Sequence, residues 1–354
     1  MSLADPCVSV VMPVRDGART VAQALRSVLS GTLDDLELIV IDDGSRDATA
    51  RIVEGFAQRD PRVRLFSQAA HGVAASRNRG FAAARGRFIA WLDADDLSLP
   101  GRLERQLACL EAQPELAILG GAAYLLRAGG GGVGVSAPPL SDSAIRCALP
   151  FDNPFIQSAV MLRRETLLRG ALNYNPAYVH CEDYELWSRL LECGRGMNLR
   201  DPLIVRREHP AQRSRAEQDE VRAWAERIAQ TNLQRLGLDL PVETVRRLRG
   251  WLGAPPRAGA ALDETAAAAL WAILDRLERD PRLDRGEIRL LRRRFTLRLA
   301  LAGPSGLRRL TRFRPGDLAA MTAYLRQRRR REQDQRRLVE QAADLPREWQ
   351  IEAD

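Results

Sequence analysis

Short, uninterrupted apolar runs alternate along the first hundred residues with stretches whose apolar positions recur at helical spacing. Val8 to Met12 reads as a buried strand closed by Pro13, and Thr20 to Leu29 as a helix with Val21, Ala24, Leu25 and Val28 on one face. Leu36 to Ile41 is a second strand, ending in Asp42-Asp43-Gly44-Ser45, and Asp47 is placed to cap a helix from Ala48 to Gln58. Val63 to Phe66 is a third strand, Val73 to Ala84 a small-residue helix, and Phe88 onward a fourth strand. Strands that are apolar throughout and alternate with helices predict an α/β domain, a mostly parallel Rossmann-like sheet covered on both faces. Ligands of such sheets bind beyond the carboxyl ends of the strands. The turn after Met12, the Asp42-Asp43 pair and Asp93-Ala94-Asp95 all lie there, so three distant segments are expected to line one cleft.

The fourth strand ends in three carboxylates, Asp93, Asp95 and Asp96. Acids this close repel one another, which points to a positive partner, most simply a hard divalent cation with oxygen ligands. Asp96 or Ser98 is read instead as the cap of the helix that Pro100 opens and that runs to Gln113. Asp42 or Asp43 can accept hydrogen bonds from a base or ribose, although a turn and helix cap accounts for one of the two. Arg77 can pair with a diphosphate through its planar fork, or lie on a solvated helix face. Further on, Leu116 to Gly121 and Ser158 to Leu162 read as strands, and Gly129 to Gly134 as a hairpin tip or mobile loop.

His180 to Trp187 opens another helix, with Leu186, Trp187, Leu190 and Leu191 as its apolar stripe. Asp183, four residues before Trp187, is expected on the same side and therefore inward. First-turn acids favoured by the helix dipole are the plainer reading of Glu182 and Asp183.

Composition narrows the chemistry. The 354 residues contain no lysine, which removes P-loop, pyridoxal and protein-kinase mechanisms. The first turn lacks Gly-x-Gly-x-x-Gly, so this is not the usual dinucleotide unit. The five cysteines form no Cys-x-x-Cys pair and read as reduced thiols. No run approaches the roughly 18 apolar residues of a membrane span, and no signal peptide is visible, so a cytoplasmic location is expected. Charge is uneven: Arg285 to Arg337 holds 17 arginines against 4 acids, net +13 in a chain of net +8, leaving −5 elsewhere. Composition divides the chain into an α/β domain over 1–215 and an arginine-rich helical region over 216–354. There, Leu290, Leu291, Phe295, Leu297, Leu299 and Leu301 interleave with Arg289, Arg292, Arg293, Arg294 and Arg298, a pattern suited to an anionic membrane surface, to a packing surface or to a solvated face. Arg328 to Arg331 adds a second basic cluster. No aromatic interleaving or reading motif accompanies the charge, so nucleic acid is not an expected partner.

Four blocks, VSVVMPV (Val8 to Val14), LIVIDDGS (Leu38 to Ser45), ASRNRG (Ala75 to Gly80) and FIAWLDADD (Phe88 to Asp96), resemble in order and spacing those of the family 2 inverting glycosyltransferases. The resemblance implies a GT-A fold, a nucleotide-diphosphate sugar donor (a UDP-sugar in the first instance), and Mn2+ or Mg2+ on the Asp-x-Asp motif. By position it implies that Asp93 faces the ribose, Asp95 ligates the metal, Asp43 with Asp42 faces the base, and Arg77 lies near the diphosphate. Pro13, Val14 and Arg15 fall in the block that binds the nucleotide, where Arg15-Asp16 replaces the family's frequent Tyr-Asn and so puts a guanidinium in the place of a stacking ring. Glu182-Asp183 matches the family's Glu-Asp pair, which makes Asp183 the general base and Glu182 a residue that orients the acceptor. Arg207-Glu208-His209 fits its Arg-x-His segment, with His209 as a second metal ligand or a phosphate contact. Gln212-Arg213-Ser214-Arg215 is similar to the Gln-x-x-Arg-Trp of processive synthases but has Ala216 for the tryptophan, so one sugar per encounter is expected. The acceptor is expected to be a hydroxyl, lipid-linked or otherwise part of the bacterial cell envelope, reached from the inner face of the plasma membrane. The alternative expectation is an inactive nucleotide-sugar-binding protein that docks through its basic helices.

Overall fold

The computed structural model describes residues 5–127, 133–208, 217–253, 262–301 and 333–342. His209, Gln212 to Arg215 and Arg328 to Arg331 lie outside these residues. The chain forms two compact units, one of Met1–Leu140, Phe155–Gln218 and Leu338–Asp354, the other of Ser141–Pro154 and Asp219–Arg337. They do not follow a single cut at 215/216, because Ser141–Pro154 joins the second unit.

The first unit is built on a nine-stranded sheet. Strands β1 (Val8–Val14), β2 (Leu36–Asp42), β3 (Val63–Ser67) and β4 (Phe88–Trp91) pair in parallel in the order β3-β2-β1-β4. Helices α1 (Val21–Leu29), α2 (Thr49–Ala57) and α3 (Val73–Ala83) connect them. Every residue of β2, and all of β1 but Pro13, is buried, which is what a strand covered on both faces requires. At Gly80, where α3 lies against β1, a Cβ would come within 2.2 Å of Val11 Cγ1, so glycine sets the depth of that contact.

Beyond β4 the sheet becomes mixed. Strand β8 (Met161–Arg163) is antiparallel to β4 and to β6 (Leu116–Arg127). Strand β9 (Arg195–Glu208) runs parallel to β6, the two-residue β5 (Leu97–Ser98) adds to its far side, and β7 (Val133–Val135) forms a hairpin with β6. Helices α4 (Arg102–Ala112), α5 (Asp142–Ala148), α6 (Arg164–Arg169) and α7 (Glu182–Cys193) complete the chain to β9; α5 belongs to the second unit. The strand expected over Ser158 to Leu162 is partly a 3-10 turn, Gln157–Ala159, that precedes β8.

The second unit is helical, with helices Gln218–Arg235, Val242–Gly253, Glu264–Arg279 and Arg285–Leu301 around an apolar core. That core holds Leu248, Leu270, Ile273 and Leu274, together with Cys147 and Phe151 from the inserted segment. Among the described residues no helix is long and apolar enough to cross a membrane.

Candidate functional site: strand-end acids and a buried arginine

The carboxyl ends of β1 and β2 are laced together through their turns. Asp16, at a positive φ of 51°, donates its N–H to Ser45 Oγ (2.9 Å) and accepts from the Arg46 N–H (2.7 Å). The N–H of Gly17 donates to Thr49 Oγ1 (2.9 Å) and that of Ala18 to Asp47 Oδ2 (3.0 Å). Asp47 also accepts from the Thr49 N–H (2.9 Å), but the helix begins at Thr49 with Ala48 at the cap position, so Asp47 braces the turn ahead of α2 and is not its cap. Pro13, Val14 and Arg15 thus sit on a fixed ledge beside β2, where the Val14 carbonyl accepts from the Asp43 N–H (2.9 Å). The Arg15 side chain is half exposed, its guanidinium 3.9 Å from Asp16.

The two acids of the β2 turn have different tasks. Asp42 accepts from the N–H of Ser45 (3.2 Å) and from its hydroxyl, which makes it the turn residue. Asp43 accepts from Gln68 Nε2 (2.8 Å) and from the N–H groups of His71 (2.9 Å) and Gly72 (2.9 Å). Burial raises the energy of its charge, but these bonds prevail and hold the carboxyl below its usual range. Asp43 therefore fixes the loop between β3 and α3, with Gly72 at a φ of 89° that favours glycine.

At the end of β4 the chain turns through Asp93, Asp95 and Asp96. Asp93 and Asp95 are partly exposed and Asp96 is buried. The expected helix cap at Asp96 or Ser98 does not form, since α4 begins at Arg102 behind Gly101 without a side-chain cap. Asp96 accepts instead from the backbone N–H of Arg207 on β9 (3.1 Å), a partner 111 residues away. Burial, then the charges of Asp95 and Asp93, push its carboxyl well above the ordinary range, against a hydrogen bond with Ser158. The turn thus gathers three carboxylates within four residues. Two buried arginines lie beneath it. Arg207 donates to the Asp95 carbonyl (3.1 Å) and to Gln23. Arg102 donates to the Trp91 carbonyl (2.8 Å) and to Gln106 (3.0 Å), and burial pushes its guanidinium down to about 9, so it keeps its charge at neutral pH.

Arg77 joins the two sides of the site. It projects from α3, is 5% exposed, and donates through Nη2 to Asp93 (3.0 Å) and through Nη1 to Glu182 at the start of α7. Burial opposes its charge, but Asp93 and Glu182, with Asp183 farther down the scale, raise its affinity for the proton. The guanidinium lies 5.4 Å from the centre of the Tyr174 ring, which packs edge-on against Trp91 and Trp187. A solvated helix face does not describe it. Of the two acids that open α7, Glu182 is the buried one and Asp183 is partly exposed, the reverse of the inward Asp183 that the stripe predicts. The helix is buried on most of its circumference, so the Trp187 stripe does not single out one face.

Several residues of this arrangement carried no signal in the sequence. Tyr174 is 1% exposed; its backbone is gripped at both N–H and carbonyl by the Asn78 side chain (2.8 and 2.7 Å), and its hydroxyl accepts from Gln157 Nε2 (2.9 Å). Ser158 Oγ accepts from the Asp93 N–H (3.1 Å). Arg102 was legible in principle: it recurs with Gln106 and Leu110 at four-residue spacing, on the inward side of α4. His209, the expected second metal ligand, lies outside the described residues. Among the described residues no three His, Cys, Asp or Glu side chains are grouped to hold an ion.

A parallel βαβ half with acids at its strand ends, joined to a mixed half that returns a carboxylate helix to the same point, is the GT-A form of the Rossmann-like fold. The S. aureus TarS 1–349 structure is similar, with a TM-score of 0.52 at 16% identity, covering 83% of this chain and 85% of that one. The same fragment in complex with UDP-GlcNAc gives 0.51 at 16% identity, over 76% and 81%. The sequence model described as Glycosyl transferase family 2 matches residues 9–167. A protein described as putative glycosyltransferase EpsE of Bacillus subtilis is 33% identical over 208 residues, 57% of this chain and 73% of the relative. An uncharacterized glycosyltransferase of Haemophilus influenzae is 27% identical over 250 residues, 67% of this chain and 77% of the relative. The chain belongs to glycosyl transferase family 2.

Proposed function

We propose that this glycosyltransferase moves one sugar per encounter from a nucleotide-diphosphate donor to an acceptor hydroxyl, inverting the anomeric carbon. The observation that carries the reading is the Arg77 bridge, in which one buried guanidinium holds the donor-side acid Asp93 and the acceptor-side acid Glu182. It keeps the end of β4 and the start of α7 side by side, as a direct displacement between two substrates requires.

In this reading Asp183, beside Glu182 and more exposed than it, takes the proton of the acceptor hydroxyl as its oxygen attacks the anomeric carbon. The bond from that carbon to the donor's diphosphate oxygen breaks with its electron pair on the departing nucleoside diphosphate. Attack from the face opposite the leaving group inverts the centre. Asp43 and the loop it fixes, with Pro13, Val14 and Arg15, form the nucleoside end, and Asp93 is placed for the ribose. A UDP-sugar is the donor class, supported by the UDP-GlcNAc complex of the similar TarS.

The residues at the end of β4 fit a divalent cation. They are oxygen donors gathered at a strand end and partly open at Asp93 and Asp95, and Mn2+ or Mg2+ takes one or two carboxylates and completes its shell with phosphate and water. Asp95, with Asp93 beside it and His209 from the segment after β9, would hold it. When bound, the ion neutralises charge that grows on the departing diphosphate. The acceptor belongs to cell-envelope polysaccharide or glycolipid assembly on the inner face of the plasma membrane, where exposed Arg285, Arg289 and Arg294 of the last long helix would meet anionic lipid.

The test is Asp183→Asn, assayed for transfer from UDP-sugars with Mn2+ and for UDP binding by calorimetry. Transfer is expected to fall by about 10³-fold or more while UDP affinity stays within about threefold. Wild-type turnover in this variant would remove Asp183 as the base. A wild-type protein that binds UDP but transfers to no acceptor would mark an inactive binding protein.

A further inference from the structure

We infer that Arg77 is a positioning residue for the base helix, acting through Glu182, and that Glu182 is the anchor of that helix and not a contact to the acceptor. The inference rests on the transfer reading above and deepens it. Glu182 is 8% exposed and its carboxylate accepts from Arg77 Nη1, while the next residue, Asp183, is left partly exposed at the same helix start. A carboxylate held in this way inside the protein is poorly placed to bind a sugar, but well placed to fix where its neighbour stands.

The local backbone needs such an anchor. Helix α7 opens at Cys181, which has a positive φ of 59° and makes no side-chain cap. A non-glycine residue in the left-handed region costs about 1 kcal/mol or more and persists only where the surroundings impose it. Two adjacent residues of α3 impose it here. Asn78 grips the backbone of Tyr174 at both its N–H and its carbonyl, and Arg77 grips Glu182, so the segment 174–182 is pinned at both ends to one helix. The same guanidinium reaches Asp93, and its flank rests on the Tyr174 ring. Arg77 Nε finds no acceptor among the described residues, so the guanidinium is directed by its two carboxylates and not by saturating all its donors. A planar fork with two anchored nitrogens fixes direction, which a flexible ammonium does not. Displacement of a catalytic group by about 1 Å can cost on the order of 10²-fold in rate.

The experiment uses the full chain and compares Arg77→Met, Glu182→Gln and the double substitution Arg77→Met with Glu182→Met. Steady-state transfer from a UDP-sugar with Mn2+ is measured alongside UDP binding and thermal unfolding. Each single substitution is expected to lower kcat by about 10²-fold, with the KM for donor and the affinity for UDP within about threefold of wild type. Removing both charges of a buried pair is expected to recover most of the stability that a single removal loses. The recovered protein should still have the low kcat of the single variants, because residues acting as one unit do not add. A loss of UDP affinity of tenfold or more in Arg77→Met, without a matching loss in Glu182→Gln, would return Arg77 to the diphosphate and overturn the inference. Recovery of kcat together with stability in the double variant would reduce the bridge to a structural one and overturn it as well. Failure of the underlying reading shows separately, as undiminished transfer by Asp183→Asn.

Discussion

The two units use the same cation in opposite ways. In the sheet unit, Arg77, Arg102 and Arg207 are 5% exposed or less, and each is aimed by carboxylates or carbonyls at the strand ends. In the helical unit the arginines more often lie on the outside. Arg247 pairs with Glu243 and Arg222 with Asp219, each about one helical turn away, and Arg282 with Asp280 two residues away. Arg292 and Arg298 are exceptions, lying near the Trp271 and Trp251 rings. A guanidinium out of water is expensive unless its donors are occupied, so an inward arginine is tied to one geometry, whereas an outward one is free to vary. In a chain without lysine, burial and not residue type marks the arginines that matter to the site.

The sharpest way to break this contrast is Arg102→Ala. It leaves a void in the core, strips the Trp91 carbonyl and Gln106 of a donor, and is expected to cost the sheet unit about 3–5 kcal/mol in denaturant unfolding. A loss below about 1 kcal/mol would show that the interior position is not structural. Next in size is Gly80→Ala, whose methyl would meet Val11; overpacking of this kind costs about 1–3 kcal/mol, read from the unfolding midpoint. A smaller effect, present near neutrality and fading in acid, is expected for Asp43→Asn. The folded Asp43 carboxyl lies below its unfolded value near 3.8, so its contribution is complete above that pH and is lost as the pH falls through the folded value. The variant should be less stable near neutrality and show a shallower acid decline, and parallel curves would sink the assignment. At the bottom of the scale, Arg222→Ala should leave the unfolding midpoint unchanged within measurement, because both partners of its Asp219 pair face water.

What the residues disclosed in advance follows the range of the interactions. The runs ending at Met12, Ile41 and Trp91 needed only local apolar pattern, and strands β1, β2 and β4 stand there. The 14-residue β9 carried no clear strand signal, because Gly196, Asn198, Asp201 and Pro202 interrupt the apolar pattern. Asn198 keeps its place by donating to the Pro139 carbonyl (2.7 Å), a contact no window of sequence contains. The same limit explains Asp96, whose partner is 111 residues away, and Glu182, whose partner is 105 away. Local spacing ranked Asp183 as the inward acid, but the position of Arg77 decided which of the two is buried.

The segment 141–154 has a consequence for how the molecule is made. Ser141 and Ser143 bond with Glu287 and with the Asp284 N–H, and Cys147 and Phe151 are covered by residues beyond 228. On the ribosome these side chains emerge long before their cover is synthesised, and they must wait uncovered while the strands on either side are already available to pair. A shortened gene ending near residue 218 would make that exposure permanent, so the transferase half is expected to be sticky when expressed alone and well behaved only with its helical tail.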